Sequence, residues 1–105
     1  MLKTKKREKL FKAVDKFVSK YIDTKTYTAE QWEEKEKDMA FGEVVFVAEG
    51  ELYHLLNGGN GEKEWAKLNK IAADHGCHIE QGFHWSWHFC DSQNLERERN
   101  SKRRK

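Results

Sequence analysis

Between His75 and Cys90 the chain runs HGCHIEQGFHWSWHFC, which gathers four of its five histidines, both cysteines and two of its four tryptophans into sixteen positions. Imidazoles and thiols are the side chains that bind borderline metals, move protons near neutral pH and, once deprotonated, attack electrophiles. A metal centre, a catalytic site and the plain packing of a hairpin therefore compete to explain one segment.

Strand parity separates these readings. Side chains alternate along a strand, so over residues 84–90 His84, Ser86, His88 and Cys90 point one way, and Trp85, Trp87 and Phe89 point the other, towards a core. A hairpin loop with an odd number of residues puts Cys77 and Ile79 with the aromatics and leaves His78 and Glu80 beside His84, Ser86 and His88. An even loop would assemble His75, Cys77, His88 and Cys90 as four metal-binding donors, but would press His78 and Glu80 into the aromatics at a desolvation cost. The odd register is preferred. It separates the cysteines and leaves His78, His84 and His88, with Glu80, as donors that could hold a metal with an open position, but in a spacing that matches no zinc motif. The expected reading is a polar hairpin face of solvent-facing histidines with no metal or cofactor, and a metal-binding hairpin is the alternative.

The run His84, Trp85, Ser86, Trp87 resembles one copy of the histidine-x-serine/threonine-x element of two-histidine phosphoesterases. In that family two such elements on facing strands supply a general base, a general acid and hydroxyl contacts to phosphate. The resemblance covers four residues and a single copy, so a second copy would have to come from a homodimer. Cys90 beside His88 has the residue types of a thiol enzyme but no third group to orient the pair. His75 suits the negative C-terminal end of a helix, and His54 stands alone.

The elements that must position this segment are legible upstream. In KKREKLFKAVDKFVSKYI, Leu10, Val14, Phe17, Val18 and Tyr21 fall within a 100° arc at helical spacing, with Phe11 and Ile22 at its edge. Lys5, Lys9, Lys12, Lys16 and Lys20 fall together on the opposite side, within about 80°. Thr28 and Gln31 make a capping-box pattern for a second helix, TAEQWEEKEKDMAF, whose Trp32 and Met39 face the core and whose Glu30, Glu33 and Glu34 suit its positive end. Gly42 is expected to end it. EVVFVA reads as a buried strand. GELYHLLNGG reads as a return strand or, slightly better, a short helix. EKEWAKLNKIAADHG is a helix with Trp65, Leu68, Ile71 and Ala72 on one face and Gly76 as its cap. The NGGNG loop before it lacks the Walker pattern, and Glu62 and Glu64 would repel an anion there.

The expected fold is a small single α+β domain over residues 1–95, in the order α-α-β-(short α or β)-α-β-β, with helices packed on one face of a three- or four-stranded, mainly antiparallel sheet. With 105 residues, 37% apolar and 36% charged, the chain holds one modest core in which six Phe, four Trp and three Tyr carry much of the burial. Two cysteines make no disulfide framework, no signal segment opens the chain and no apolar run spans a membrane, so a soluble, cytoplasmic protein is expected.

A net charge of +2 conceals an asymmetry: +6 over residues 1–25, −7 over 26–64, −1 over 65–95 and +4 over 96–105. Residues 96–105 read as a flexible basic tail in which Arg97, Arg99, Arg103 and Arg104 suit phosphate. With the lysine row they point to a non-enzymatic module that binds nucleic acid. The alternative is a protein-binding regulator. In composition and size the chain looks like the accessory proteins of tailed phages, and its acidic middle could mimic nucleic-acid phosphates. The complementary ends and middle also suit a homodimer.

Overall fold

The computed structural model describes residues 4–36 and 42–92. Among them the order is α1 (Thr4–Val18), β1 (Thr24–Thr28), α2 (Ala29–Glu36), β2 (Val44–Ala48), α3 (Glu51–Asn57), α4 (Glu62–Asp74), β3 (Cys77–Gln81) and β4 (Ser86–Asp91). The strands form one antiparallel sheet in the order β1-β2-β4-β3. The α+β class and the antiparallel sheet match expectation, and residues 51–57 take the helical alternative. None of the described helices is long and apolar enough to cross a membrane.

One face of the sheet carries the main core. Val44, Phe46 and Ala48 of β2 and Trp87 and Phe89 of β4 meet Leu10, Val14, Phe17 and Val18 of α1, Leu52 and Leu56 of α3, and Leu68 and Ala72 of α4. Phe46 and Trp87 are direct cross-strand partners and stack, with ring centroids 5.2 Å apart and planes 13° from parallel. The alternate residues of the same strands face the other way. There Tyr27, Val45 and Trp32 form a second, smaller cluster, so α2 roofs the reverse face while α1, α3 and α4 cover the front.

β1 has no signature in the hydrophobic pattern of the chain. TKTYT has one apolar ring among polar residues, and it becomes a strand by pairing Thr24 to Thr28 with Ala48 to Val44 at the sheet edge. The first helix correspondingly stops at Val18, four residues before Ile22, which lies exposed. The Thr24 hydroxyl donates to the Val18 carbonyl at 2.8 Å, satisfying an end-of-helix acceptor, and Asp23 takes a left-handed φ of 57° as the chain turns into the strand. The capping box forms as expected: the Gln31 N–H donates to Thr28 Oγ1 at 3.2 Å, and the Thr28 N–H donates to Gln31 Oε1 at 3.0 Å. Met39 and the expected end of that helix near Gly42 fall at or beside residues outside those described. Gly76, with φ of 69°, ends α4, and the His75 ring bonds the Ile71 carbonyl at 2.7 Å.

Arg7 joins the two layers. At helical spacing it falls inside the apolar arc of α1, where a guanidinium needs carboxylate partners. Its Nη2 and Nε donate to Glu43 Oε2 at 2.6 and 3.1 Å, and its Nη1 reaches Glu30 of α2. Glu43 is buried. Arg7→Leu is therefore expected to lower the unfolding free energy by about 2 kcal/mol, because a buried carboxylate loses charge-assisted bonds. Urea unfolding measures it, and a cost below about 0.5 kcal/mol, the usual range for surface changes, would remove Arg7 from the scaffold.

Candidate functional site

Two regions collect the residues singled out by their chemistry: the reverse face of the β3–β4 hairpin and the outer face of α1. The hairpin register pairs Cys77 with Asp91, His78 with Cys90, Ile79 with Phe89, Glu80 with His88 and Gln81 with Trp87. Five residues, 82–86, separate the last pair. The loop is odd, Cys77 and Ile79 lie on the core face, and His78, Glu80, Ser86, His88 and Cys90 share the reverse face, as parity requires.

Exposure differs from expectation. His88 and Ser86 are almost fully buried rather than solvent-facing. The Trp32 ring of α2 stands edge-on over the His88 imidazole, centroids 5.5 Å apart and planes at 89°, and the 82–85 turn closes the other side. Gly82 lies so close that a Cβ there would sit 2.5 Å from His88 Nε2 and 2.9 Å from Ser86 Oγ, so only glycine fits. The Ser86 hydroxyl accepts the Phe83 N–H at 2.8 Å and lies 3.4 Å from His88 Nε2. Burial lowers the His88 pKa to about 4, against the pull of the Glu80 carboxylate, so the imidazole is neutral at physiological pH.

His84 and Trp85 lie in the turn, where strand alternation does not apply. His84 is exposed, and its carbonyl accepts from Asn57 Nδ2 and Gln81 Nε2, each at 3.0 Å. Trp85 leaves the core face expected of it: it stacks on exposed Phe83, centroids 4.9 Å apart, and packs against Trp32. His84 and Ser86 thus share no open strand face, and the phosphoesterase-like arrangement is not formed among the described residues.

At the β3 edge a different set converges. His78 Nε2 lies 3.2 Å from Glu80 Oε2, and Cys90 presents its sulfur to the same carboxylate across the strand pair. The donor atoms of His78, Glu80 and Cys90 all lie within 4.8 Å of one another. His78 Nδ1 is 3.4 Å from Ser92 Oγ, an orientation that turns Nε2 towards the carboxylate. Hydrogen bonding from the Cys90 thiol, then from His78, holds the Glu80 carboxyl below the usual carboxylate range. Burial first, and then Glu80, push the Cys90 thiol well above its ordinary value, and burial followed by Asp91 pushes Cys77 up to about 11. Neither thiol has the lowered pKa that a cysteine nucleophile requires.

On α1, Lys5, Lys9, Lys12 and Lys16 are all exposed, and none forms an ion pair among the described residues. Lys20 lies in the turn beyond the helix and places its ammonium 5.7 Å from the Phe17 ring centroid. Arg97, Arg99, Arg103 and Arg104 lie outside the described residues. Comparison with protein-family models, curated proteins and solved structures finds no match. The chemistry of the side chains is then the only guide to function.

Two relationships in this structure do not follow from the spacing of residues along the chain. Arg7 carries a signal that could have found its role, a cation within an apolar helical arc. Parity places Cys90 on the polar face but does not join it to His78, because only the strand register shows that the two sit directly opposite.

Proposed function

We propose that the chain is a non-enzymatic binding module whose lysine row on α1 engages a polyanion, with nucleic acid as the partner. The observation that carries this reading is the accessibility of Lys5, Lys9, Lys12 and Lys16 along one face of a helix whose opposite face is anchored by buried Leu10, Val14, Phe17 and Val18. Ammonium groups on a rigid element release condensed counterions from a phosphate backbone without ordering a loop. The arginine-rich segment 96–105 adds bidentate phosphate donors to the same partner.

A protein partner is the second reading, favoured by the exposed Phe83 ring stacked on Trp85 beside Lys35, whose ammonium lies 6.0 Å from the Trp85 ring centroid. Aromatic residues are enriched where proteins meet. The phage accessory type of regulator belongs to this reading, as does a homodimer formed through the complementary acidic and basic segments.

Salt titration with single- and double-stranded probes distinguishes the two. The full chain is expected to bind at low salt with an affinity that falls as salt rises. Lys9→Gln, Lys12→Gln and Lys16→Gln combined should flatten the slope of log K against log salt by about 0.7–0.9 for each phosphate that is no longer neutralised. Deleting residues 96–105 should flatten it further. No binding at low salt would refute the nucleic-acid reading, and an unchanged slope in the triple variant would remove α1 from the interface.

A further inference from the structure

The lysine row explains nothing about the β3 edge, and the three donors gathered there are the strongest unassigned feature of the molecule. We propose that His78, Glu80 and Cys90 form a three-ligand site for a zinc-type divalent cation, with the fourth position open to water.

The geometry follows from the sheet. His78 and Cys90 are direct partners across the β3–β4 pair, and Glu80 is two residues along β3, so all three side chains leave the same face at neighbouring positions. Zinc holds nitrogen, oxygen and sulfur ligands at roughly 2.0–2.3 Å, which places tetrahedral donors about 3.5 Å apart. His78 Nε2 and Glu80 Oε2 already meet that spacing at 3.2 Å. All three donor atoms lie within 4.8 Å of one another, so drawing them onto one ion takes side-chain adjustments of about an ångström.

The donor set also selects the class of ion. One imidazole, one carboxylate and one thiolate suit zinc or cobalt(II), whereas magnesium and calcium require oxygen donors throughout. Thiolate and carboxylate together balance a dipositive charge at a half-buried position. His78 is pre-oriented by Ser92 Oγ at its other nitrogen, the arrangement that fixes tautomer and ring direction in metal-binding histidines. In the metal-free chain the Cys90 thiol keeps its proton, with the His88 carbonyl 3.8 Å away and the Glu80 carboxylate close by. On binding, the cation takes the proton's place: the sulfur–metal bond forms as the S–H bond breaks, and the proton leaves to solvent. Among the described residues β3 is an edge strand of the sheet, and Glu80 on it is exposed, which gives an ion access to the site.

This site differs from the four-donor set that an even hairpin loop would have built. Cys77 lies on the opposite face, packed in the core, and His88 directs Nε2 to Ser86.

Cobalt(II) titration of the metal-stripped full chain tests the proposal. A single equivalent is expected to bring visible absorption of a four-coordinate ion together with a thiolate-to-cobalt charge-transfer band, and zinc should displace it. Cys90→Ser should abolish the charge-transfer band while Cys77→Ala keeps it. Glu80→Gln, at an exposed position that does not threaten folding, should weaken cobalt binding at least about tenfold, as should His78→Ala. The absence of a charge-transfer band in the folded chain overturns the site. So does a band that survives Cys90→Ser, or an affinity untouched by both Glu80→Gln and His78→Ala.

Discussion

Trp87→Ala is expected to lower the unfolding free energy by about 3–5 kcal/mol, enough to leave a domain of this size only marginally folded. Trp87 is fully buried on β4, stacked on Phe46 of the neighbouring strand, at the centre of the face against which three helices pack. Truncation removes the largest ring in the core and leaves a cavity that β2 and β4, hydrogen-bonded to each other, cannot collapse to fill. The same position offers a controlled comparison. Trp87 Nε1 is buried with no hydrogen-bond acceptor among the described residues. Trp87→Phe keeps a ring on Phe46 and deletes that unsatisfied donor, so its cost should stay below about 2 kcal/mol. Denaturant unfolding of both variants gives the difference. Equal losses for Phe and Ala would show that ring stacking is not what holds the two strands to the helices.

Acid is expected to destabilise the protein through His88. In the unfolded chain a histidine titrates at about 6.5. In the folded protein, burial under Trp32 and against Gly82 depresses His88 to about 4. A depressed folded pKa contributes stability that is fully present above pH 6.5 and is lost as the pH falls towards 4, because the unfolded chain then binds a proton that the folded chain refuses. Roughly 2.5 pH units separate the two values, which corresponds to about 3 kcal/mol at full expression. Among the groups facing the imidazole, Ser86 and the Trp32 ring are neutral, and Glu80 is the charged one, pulling the other way. His88→Gln keeps a polar group near Ser86 and removes the titration. With chelator present throughout, wild type should lose stability relative to His88→Gln between pH 6.5 and 4. Parallel curves over that interval would mean that the imidazole is protonated in place and not shielded by α2.

The long periodic elements are readable because one local rule dominates each. The arc of Leu10, Val14, Phe17 and Val18, the β-branched run Val44 to Val47, and the Trp65, Leu68, Ile71 and Ala72 face are each decided by spacing within one segment, and the structure buries them accordingly or packs them against the core. The Thr28–Gln31 box is local in the same sense. β1 is not readable because its polar residues become a strand only by borrowing hydrogen bonds from β2, some twenty residues downstream. Trp85 departs from its expected face for a related reason: alternation holds only within β4, which begins at Ser86, and Trp85 belongs to the turn before it.

By itself, the sequence determined the α+β class, the helical cores, the lysine row and the parity that sets His78, Glu80, Ser86, His88 and Cys90 on one side of the final hairpin, although it also placed His84 there, which the structure puts in the turn. These follow from backbone periodicity, which acts within a few residues. Tertiary structure alone decided which of them meet water and which meet one another. Trp32, more than fifty residues away in the chain, comes to rest on His88 and turns an expected solvent-facing histidine into a buried neutral one. Cross-strand register sets Cys90 opposite His78 and brings thiol, imidazole and carboxylate within reach of a single ion. Burial and convergence are properties of segments distant in sequence and adjacent in space, so spacing along the chain could nominate these residues but could not sort them.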